Sequence, residues 1–335
     1  MDTAIDGARP ARPNEALLAD AAAELRRLQS LSVTPEWVVI DRQERKRSTL
    51  FGLEATHEAG RTRAFYKVDV LPPARADPVR RLERVARLRD SLAFEQQVGE
   101  DLSAALERDG VSCDRPLAVD VERLSAVRLE VVGRPLGRSI RYLRPGGRRL
   151  GLDVYRKIGR AIRVVEQQTQ PLAQPLDHQE LERRLNDHLT AASRELSAEL
   201  RARVQDHANH LILNLDLETA TVWGHGDMSP SNVLVDARHV GLIDFSWRRY
   251  LAGESLAYFV ARLGVEPKSP EWWRRSVRRA VLSGYGADDV ASWQMSYLFR
   301  LLRWSRKTKP ELRRWSRERL EEHMDGRGIG WPEVQ

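Results

Sequence analysis

Cysteine is almost absent: Cys113 is the one thiol in 335 residues. That excludes an internal disulfide and fits a reducing compartment, with the thiol itself read as a buried bystander. Long apolar runs are missing too. No stretch approaches the roughly 18 to 20 consecutive apolar residues of a membrane helix, and the polar first fourteen residues carry no apolar core of a secretory signal. A cytoplasmic location is therefore expected. Neither an internal repeat nor a low-complexity linker is present. Lysine is scarce as well: only residues 46, 67, 157, 268, 307 and 309 among 55 basic positions. The net charge of +7 is thus carried by arginine, which grips phosphate and carboxylate in a bidentate fork.

What is there is ample core material. Hydrophobic residues make up 41% and the 31% that are charged are mixed in sign, a composition that folds rather than one that stays disordered. Residues 14–30 repeat leucine at 17, 18, 25 and 28, an amphipathic helix. Three strands are predicted at 37–40, 49–55 and 63–70. The connection 41–48 is highly charged and holds no glycine. Pro72, Pro73 and Pro78 mark a loop before a long helix at 79–108, whose apolar face includes Leu88, Leu92, Val98, Leu102 and Leu106. Strands follow at 117–119 and 126–132. Residues 152–213 read as mostly helical, 233–235 and 240–243 as short strands, and 256–323 as helical again, dense in Trp and Arg. The expectation is an α+β chain in two lobes, a small β-rich lobe at 1–132 and a larger α-helical lobe at 133–335.

Phosphoryl transfer from ATP needs a carboxylate to orient the acceptor hydroxyl, ligands for magnesium and a cation on the phosphates. The run His225-Gly226-Asp227-Met228-Ser229-Pro230-Ser231-Asn232 supplies Asp227 and, five residues on, Asn232. Asp244 follows twelve residues later in Leu242-Ile243-Asp244-Phe245. A hairpin between the two strands would bring Asn232 and Asp244 to one metal while Asp227 faces the acceptor.

This pattern, His-Gly-Asp with Asn five on and then Ile-Asp-Phe, resembles the aminoglycoside phosphotransferase and choline kinase family, the small-molecule counterpart of protein kinases. The resemblance covers roughly residues 35–260. It implies a protein-kinase-like fold, ATP and Mg as cofactors, Asp227 as catalytic base, Asn232 and Asp244 as magnesium ligands, and His225 as a prop for the loop. By the same resemblance Lys67, on the third strand, is the phosphate-binding lysine. Its partner is a glutamate of the next helix: Glu95, with Glu83 and Glu100 as competitors. Glu130 to Gly133 resembles the hinge, where the backbone of Glu130 and Val132 would meet adenine. The chain also departs from the pattern. The glycine-containing nucleotide loop has no counterpart in 41–48, so Ser48 or arginine side chains are expected to substitute. Asp-Phe-Gly becomes Asp244-Phe245-Ser246. The run Gly253-Glu254-Ser255-Leu256-Ala257-Tyr258 lacks the family's final aspartate near the acceptor pocket.

Acceptor choice follows charge. Between 246 and 320 stand 17 Arg and Lys against 7 Asp and Glu, with Trp247, Arg248 and Arg249 directly after the metal motif. Such a field repels a polycation. The expected acceptor is thus a small molecule or carbohydrate, neutral or anionic, and not an aminoglycoside, with Trp247, Arg248 and Arg249 as candidate contacts. The plainer alternative is basic solvated helix faces around core tryptophans. Three further readings stay open or are set aside. Basic Arg/Trp helices on anionic headgroups would suit a kinase of a lipid-linked glycan with peripheral membrane contact. A non-catalytic kinase-like binding protein is kept alive by the glycine-free loop. Nucleic acid binding is disfavoured, because a phosphate backbone has no use for the three carboxylate and amide groups.

Overall fold

The computed structural model describes residues 12–45, 47–71, 77–137, 150–236, 239–264, 271–286, 290–307 and 310–325. The chain divides into two compact units, Met1–Ala104 with Ser112–Val132, and Ala105–Val111 with Gly133–Gln335.

In the first unit, helix α1 (Glu15–Gln29) starts where the Asn14 side chain accepts from the backbone of Ala16 and stops at Ser30 in the left-handed region, a matched pair of caps. Strands β1 (Val38–Glu44), β2 (Ser48–His57), β3 (Gly60–Asp69), β5 (Pro116–Asp120) and β6 (Ser125–Leu129) form one antiparallel sheet in the order β1-β2-β3-β6-β5. Strand residues alternate between faces. Phe51, Leu53, Ala64, Tyr66 and Val127 therefore share one face, which packs on Leu17 and Ala21 of α1. Ala126 lies on the other, packed with Leu92 of the long helix α2 (Pro78–Arg108). Lys67 pairs with Ala126 and Phe65 with Arg128, so Lys67 and Arg128 belong to the α2 side.

The charged connection is shorter than the sequence suggests. Residues 41–44 continue β1, with Glu44 opposite Thr49 and the Arg45 amide on the Ser48 carbonyl at 2.8 Å. All of β1 is solvent-exposed, and charge on an exposed edge strand deters further pairing. That charge is what made 41–48 read as a loop. Lys46 lies outside the described residues.

The second unit is helical around a few short strands. Helices α3 (Leu152–Thr169), α4 (His178–Ala191) and α5 (Ala198–Leu213) fill the stretch expected to be helical, and a short α6 (Leu217–Ala220) leads into β8 (Thr221–Gly224). β9 (Val233–Val235) and β10 (Val240–Leu242) form the anticipated hairpin, with β7 (Arg134–Pro135) on its flank. A second ribbon, β8 with β11 (Arg248–Leu251), was not anticipated. The chain then runs through α7 (Glu254–Gly264), α8 (Glu271–Tyr285), α9 (Val290–Ser305) and α10 (Pro310–Met324). α3 and α8 touch through backbone: a Cβ on Gly159 would lie 1.9 Å from the Val281 carbonyl oxygen, and one on Gly284 1.9 Å from that of Arg156. Trp293, Tyr297, Leu298, Leu301 and Leu302 of α9 are buried and form the centre of this unit. The remaining short strand, β4 (Val111–Cys113), follows α2. Among the described residues no helix is long and apolar enough to cross a membrane.

Candidate active site

The three residues singled out in the second unit are tied into one hydrogen-bonded knot. The Asn232 Nδ2 donates to the Asp227 carbonyl at 2.9 Å, the Ile243 amide donates to the Asn232 carbonyl at 3.0 Å, and the His225 ring meets the Ile243 carbonyl through Nε2 at 3.0 Å. The Ser246 amide closes the circuit on the His225 carbonyl at 3.0 Å. Asp227, Asn232 and Asp244 are thereby held by backbone on both sides of the β9–β10 hairpin. Asp244 itself sits at φ 61°, a left-handed conformation uncommon for a non-glycine residue and a frequent mark of a functional turn.

His225 is 1% exposed, and burial pushes its pKa down. The neutral ring, bonded to an acceptor, carries its proton on Nε2. It stacks on Phe245 at 4.4 Å, and Phe245 stacks on Trp247 at 4.8 Å. The bond and the stack hold His225 against the loop, while Trp247, expected at the acceptor, is 2% exposed and serves as the base of this aromatic stack instead. Gly226 has φ +72°, and a Cβ there would fall 1.7 Å from the Ser246 carbonyl oxygen. No other residue type fits without breaking the knot. Its amide donates to the Tyr250 hydroxyl at 2.7 Å, which also bonds Ser255 at 2.9 Å, joining the loop to the first turn of α7.

Because Arg248 and Arg249 are neighbours on β11, they point to opposite faces. Arg249 reaches toward the Gln174 carbonyl and Glu180. Arg248 has its Cγ beside Gly226. The expected pair is split, with one arginine at the Asp227 loop and one turned to α4.

The donor set suits a hard divalent cation. The Asn232 nitrogen is committed to Asp227, which leaves its side-chain oxygen to present, and Asp244 adds a carboxylate: oxygen ligands of the kind magnesium takes, completed by phosphate and water.

In the first unit, Glu95 is 3% exposed and Arg128 7%. Arg128 grips Glu95 in bidentate fashion, Nε to Oε1 at 2.5 Å and Nη2 to Oε2 at 2.7 Å. Of the three candidate glutamates, Glu83 is exposed and Glu100 pairs at the surface with Arg27. Only Glu95 is directed at the sheet, one turn beyond Leu92. Sequence reasoning missed Arg128; its one signal was a charged residue inside an apolar strand. Lys67 is half-buried on the same side of the sheet. Ser48 is 6% exposed at the start of β2. Glu130 and Val132 follow β6, the Glu130 amide donating to the Arg63 carbonyl at 3.0 Å and Val132 standing 79% exposed.

A second missed residue is Tyr258, whose hydroxyl donates to the Asp227 carboxylate. It stands where the family pattern would place its final aspartate, so the sequence flagged the position but not the contact.

A β-rich unit followed by a helical unit whose hairpin holds an Asp, Asn and Asp set defines a kinase-like phosphotransferase of α+β class. The profile described as the phosphotransferase enzyme family (APH) matches residues 57–293, and the chain belongs to this family, enzymes that transfer a phosphoryl group to a hydroxyl. A glucosamine kinase structure is similar at 18% identity, TM-score 0.58, covering 95% of this chain and 88% of that one. A macrolide 2'-phosphotransferase from Brachybacterium faecium aligns at 13% identity and TM-score 0.49 over 96% and 100% of the two chains. Choline kinase from Cryptosporidium parvum Iowa II aligns at 13% and 0.45 over 88% of each. No curated protein matches the sequence.

Proposed function

We propose that this protein transfers the γ-phosphate of ATP, with magnesium, to a hydroxyl of a small molecule or carbohydrate in the cytosol, and that the acceptor is neutral or anionic and not an aminoglycoside. The observation that carries the reading is the knot joining Asn232 to Asp227 and Ile243 to Asn232, which fixes the base and the metal ligands in one rigid piece. Asp227 orients the acceptor hydroxyl and takes its proton at the carboxylate as the new bond to phosphorus forms. Asn232 and Asp244 would hold magnesium, which when bound neutralises charge on the phosphates. Lys67 provides a compact cation for the phosphates, and the Glu95–Arg128 pair fixes the sheet face on which it stands. Glu130 and Val132 offer backbone to the adenine ring. Arg248, beside Gly226, contributes to the acceptor side.

Asp227→Asn tests the base. Its transfer rate in an ATP-consumption screen over sugars, sugar phosphates, nucleosides, choline-like amines and antibiotics should fall by about two to four orders of magnitude, with nucleotide affinity and unfolding midpoint retained. Turnover at the wild-type rate would remove Asp227 from the role. Asp244→Ala should weaken magnesium–nucleotide binding itself, read by calorimetry.

A further inference from the structure

The helices after the active-site loop bring cations together around Tyr258. On α7, Tyr258 and Arg262 stand one turn apart; on α9, Arg300 and Arg303 do the same, a spacing that aligns side chains, and Arg306 and Lys307 follow just past the end of the helix. The two sets meet. The Arg300 guanidinium carbon lies 4.3 Å from the centre of the Tyr258 ring and that of Arg262 lies 5.6 Å from it, with Arg262 also 6.0 Å from the Trp304 ring. Tyr258 and Trp304 pack edge to face at 6.3 Å. A tyrosine between two guanidinium groups thus donates its hydroxyl to Asp227.

Among the described residues, Glu254 is the carboxylate recorded against Arg300 and Arg303. Arg300, 7% exposed, is ion-paired with Glu254, yet its Nε is buried without a hydrogen-bond partner. Arg262, Arg303, Arg306 and Lys307 are exposed. Partial desolvation, then Arg300, Arg248 and Arg306, hold the Arg303 pKa down against Glu254, which raises it; Lys307 is lowered by partial desolvation, then by Arg303, Arg306, Arg300 and Arg262. Arg306 and Arg303 also lower His188, on α4, which burial already pushes down to about 4. Arg262, Arg303, Arg306 and Lys307 therefore crowd around the paired Arg300 and Glu254, with Arg262 and Arg300 against the Tyr258 ring. Stacking on aromatic rings returns only about 0.5–2 kcal/mol per cation and does not relieve repulsion among like charges. A doubly charged, three-oxygen ligand does both, and guanidinium forks match it.

We propose that Arg262, Arg303, Arg306 and Lys307, around Tyr258, form an acceptor subsite for a phosphate monoester, so that the substrate is a hydroxyl compound already carrying one phosphate. This rests on the transferase reading above. In the step, the bond from the γ-phosphorus of ATP to its bridging oxygen breaks and a bond to the acceptor oxygen forms. The hydroxyl proton passes to Asp227, ADP leaves, and the product carries two phosphates.

The test separates the subsite from the chemistry. Inorganic phosphate is titrated calorimetrically into the full-length protein with the nucleotide site filled by a non-hydrolysable ATP analogue, for wild type and for Arg303→Gln/Lys307→Gln, whose positions are exposed. Circular dichroism and melting check the fold. Phosphate affinity should fall at least tenfold in the double variant, and with a phosphorylated acceptor the same variant should raise acceptor KM more than it lowers kcat. Equal phosphate affinity in the two proteins overturns the subsite even if ATP turns over. Lost affinity in the variant with no turnover on any acceptor upholds the subsite and sinks the transferase reading. Binding to phosphatidylglycerol vesicles that inorganic phosphate does not displace assigns the patch to a lipid surface and overturns the proposal.

Discussion

Glu95 in the first unit and Glu166 in the second are buried to nearly the same degree, 3% and 2% exposed, and are held in opposite ways. Glu95 meets a guanidinium, two charge-assisted bonds from Arg128. Glu166, on α3, meets neutral donors: the Gly253 amide at 3.0 Å to each oxygen and the Tyr285 hydroxyl. Burial raises the Glu166 pKa to about 7, against the bonds from Tyr285 and Gly253 and the more distant Arg163, with Glu254 adding to the rise. The first carboxylate is buried together with a cation that donates to both of its oxygens. The second ties α3 to the turn before α7 and to α8 with a group that titrates near neutrality. One pair sets charge against charge on a sheet face; the other makes its junction pH-sensitive.

The largest effect should come from breaking the charged pair. Arg128→Leu leaves a buried carboxylate without its cation, which costs about 3–5 kcal/mol; denaturant unfolding should show it. Glu95→Leu with Arg128→Leu removes both charges and should recover most of that loss. A double variant as unstable as the single would contradict mutual compensation of these two charges.

Glu166 gives the next effect, with a defined sign. An exposed glutamate titrates near 4.5, so between about pH 4.5 and 7 the folded protein keeps a proton that the unfolded chain has released. Stability supplied by neutral Glu166 is full below about 4.5 and is lost as pH rises through 7, roughly 3 kcal/mol in all. Glu166→Gln keeps an accepting oxygen and cannot ionise. Relative to wild type it should flatten stability between pH 5 and 8, and an unchanged pH profile would contradict the assignment.

These two sites also mark what the sequence could show. The Asp227, Asn232 and Asp244 set was legible because its geometry is local: a loop and one hairpin within twenty residues. Although the partner expected for it was Lys67, the burial of Glu95 was legible from its apolar neighbours. Arg128, 33 positions away, was not, nor was Glu166, whose partners lie 87 and 119 positions off. β11 was hidden for another reason. Two arginines in a four-residue strand read as a basic surface, and only pairing with β8 reveals that alternation sends Arg248 and Arg249 apart. Trp247 and Trp293 follow the plainer reading of tryptophan as core, and of the arginines near Tyr258 Arg300 is buried whereas Arg262, Arg303 and Arg306 are exposed.

Tyr285→Phe makes the smallest change and sharpens the comparison most. Its hydroxyl donates to the Glu166 carboxyl, and a bond to a charged acceptor is worth about 1.5–3 kcal/mol, against about 0.5–1.5 for a neutral one. Losing it should therefore cost about 1 kcal/mol at pH 5, where Glu166 is protonated, and about 2 kcal/mol at pH 8, where it is not. The charged form loses more, so the pKa moves further up and the decline of stability with pH becomes steeper than in wild type. Glu166→Gln flattens that same decline. Opposite slopes from two substitutions at one contact cannot arise from a general loosening of the α3–α8 junction, which would lower stability equally at both pH values. Unfolding midpoints for the three proteins at pH 5 and 8 decide between them.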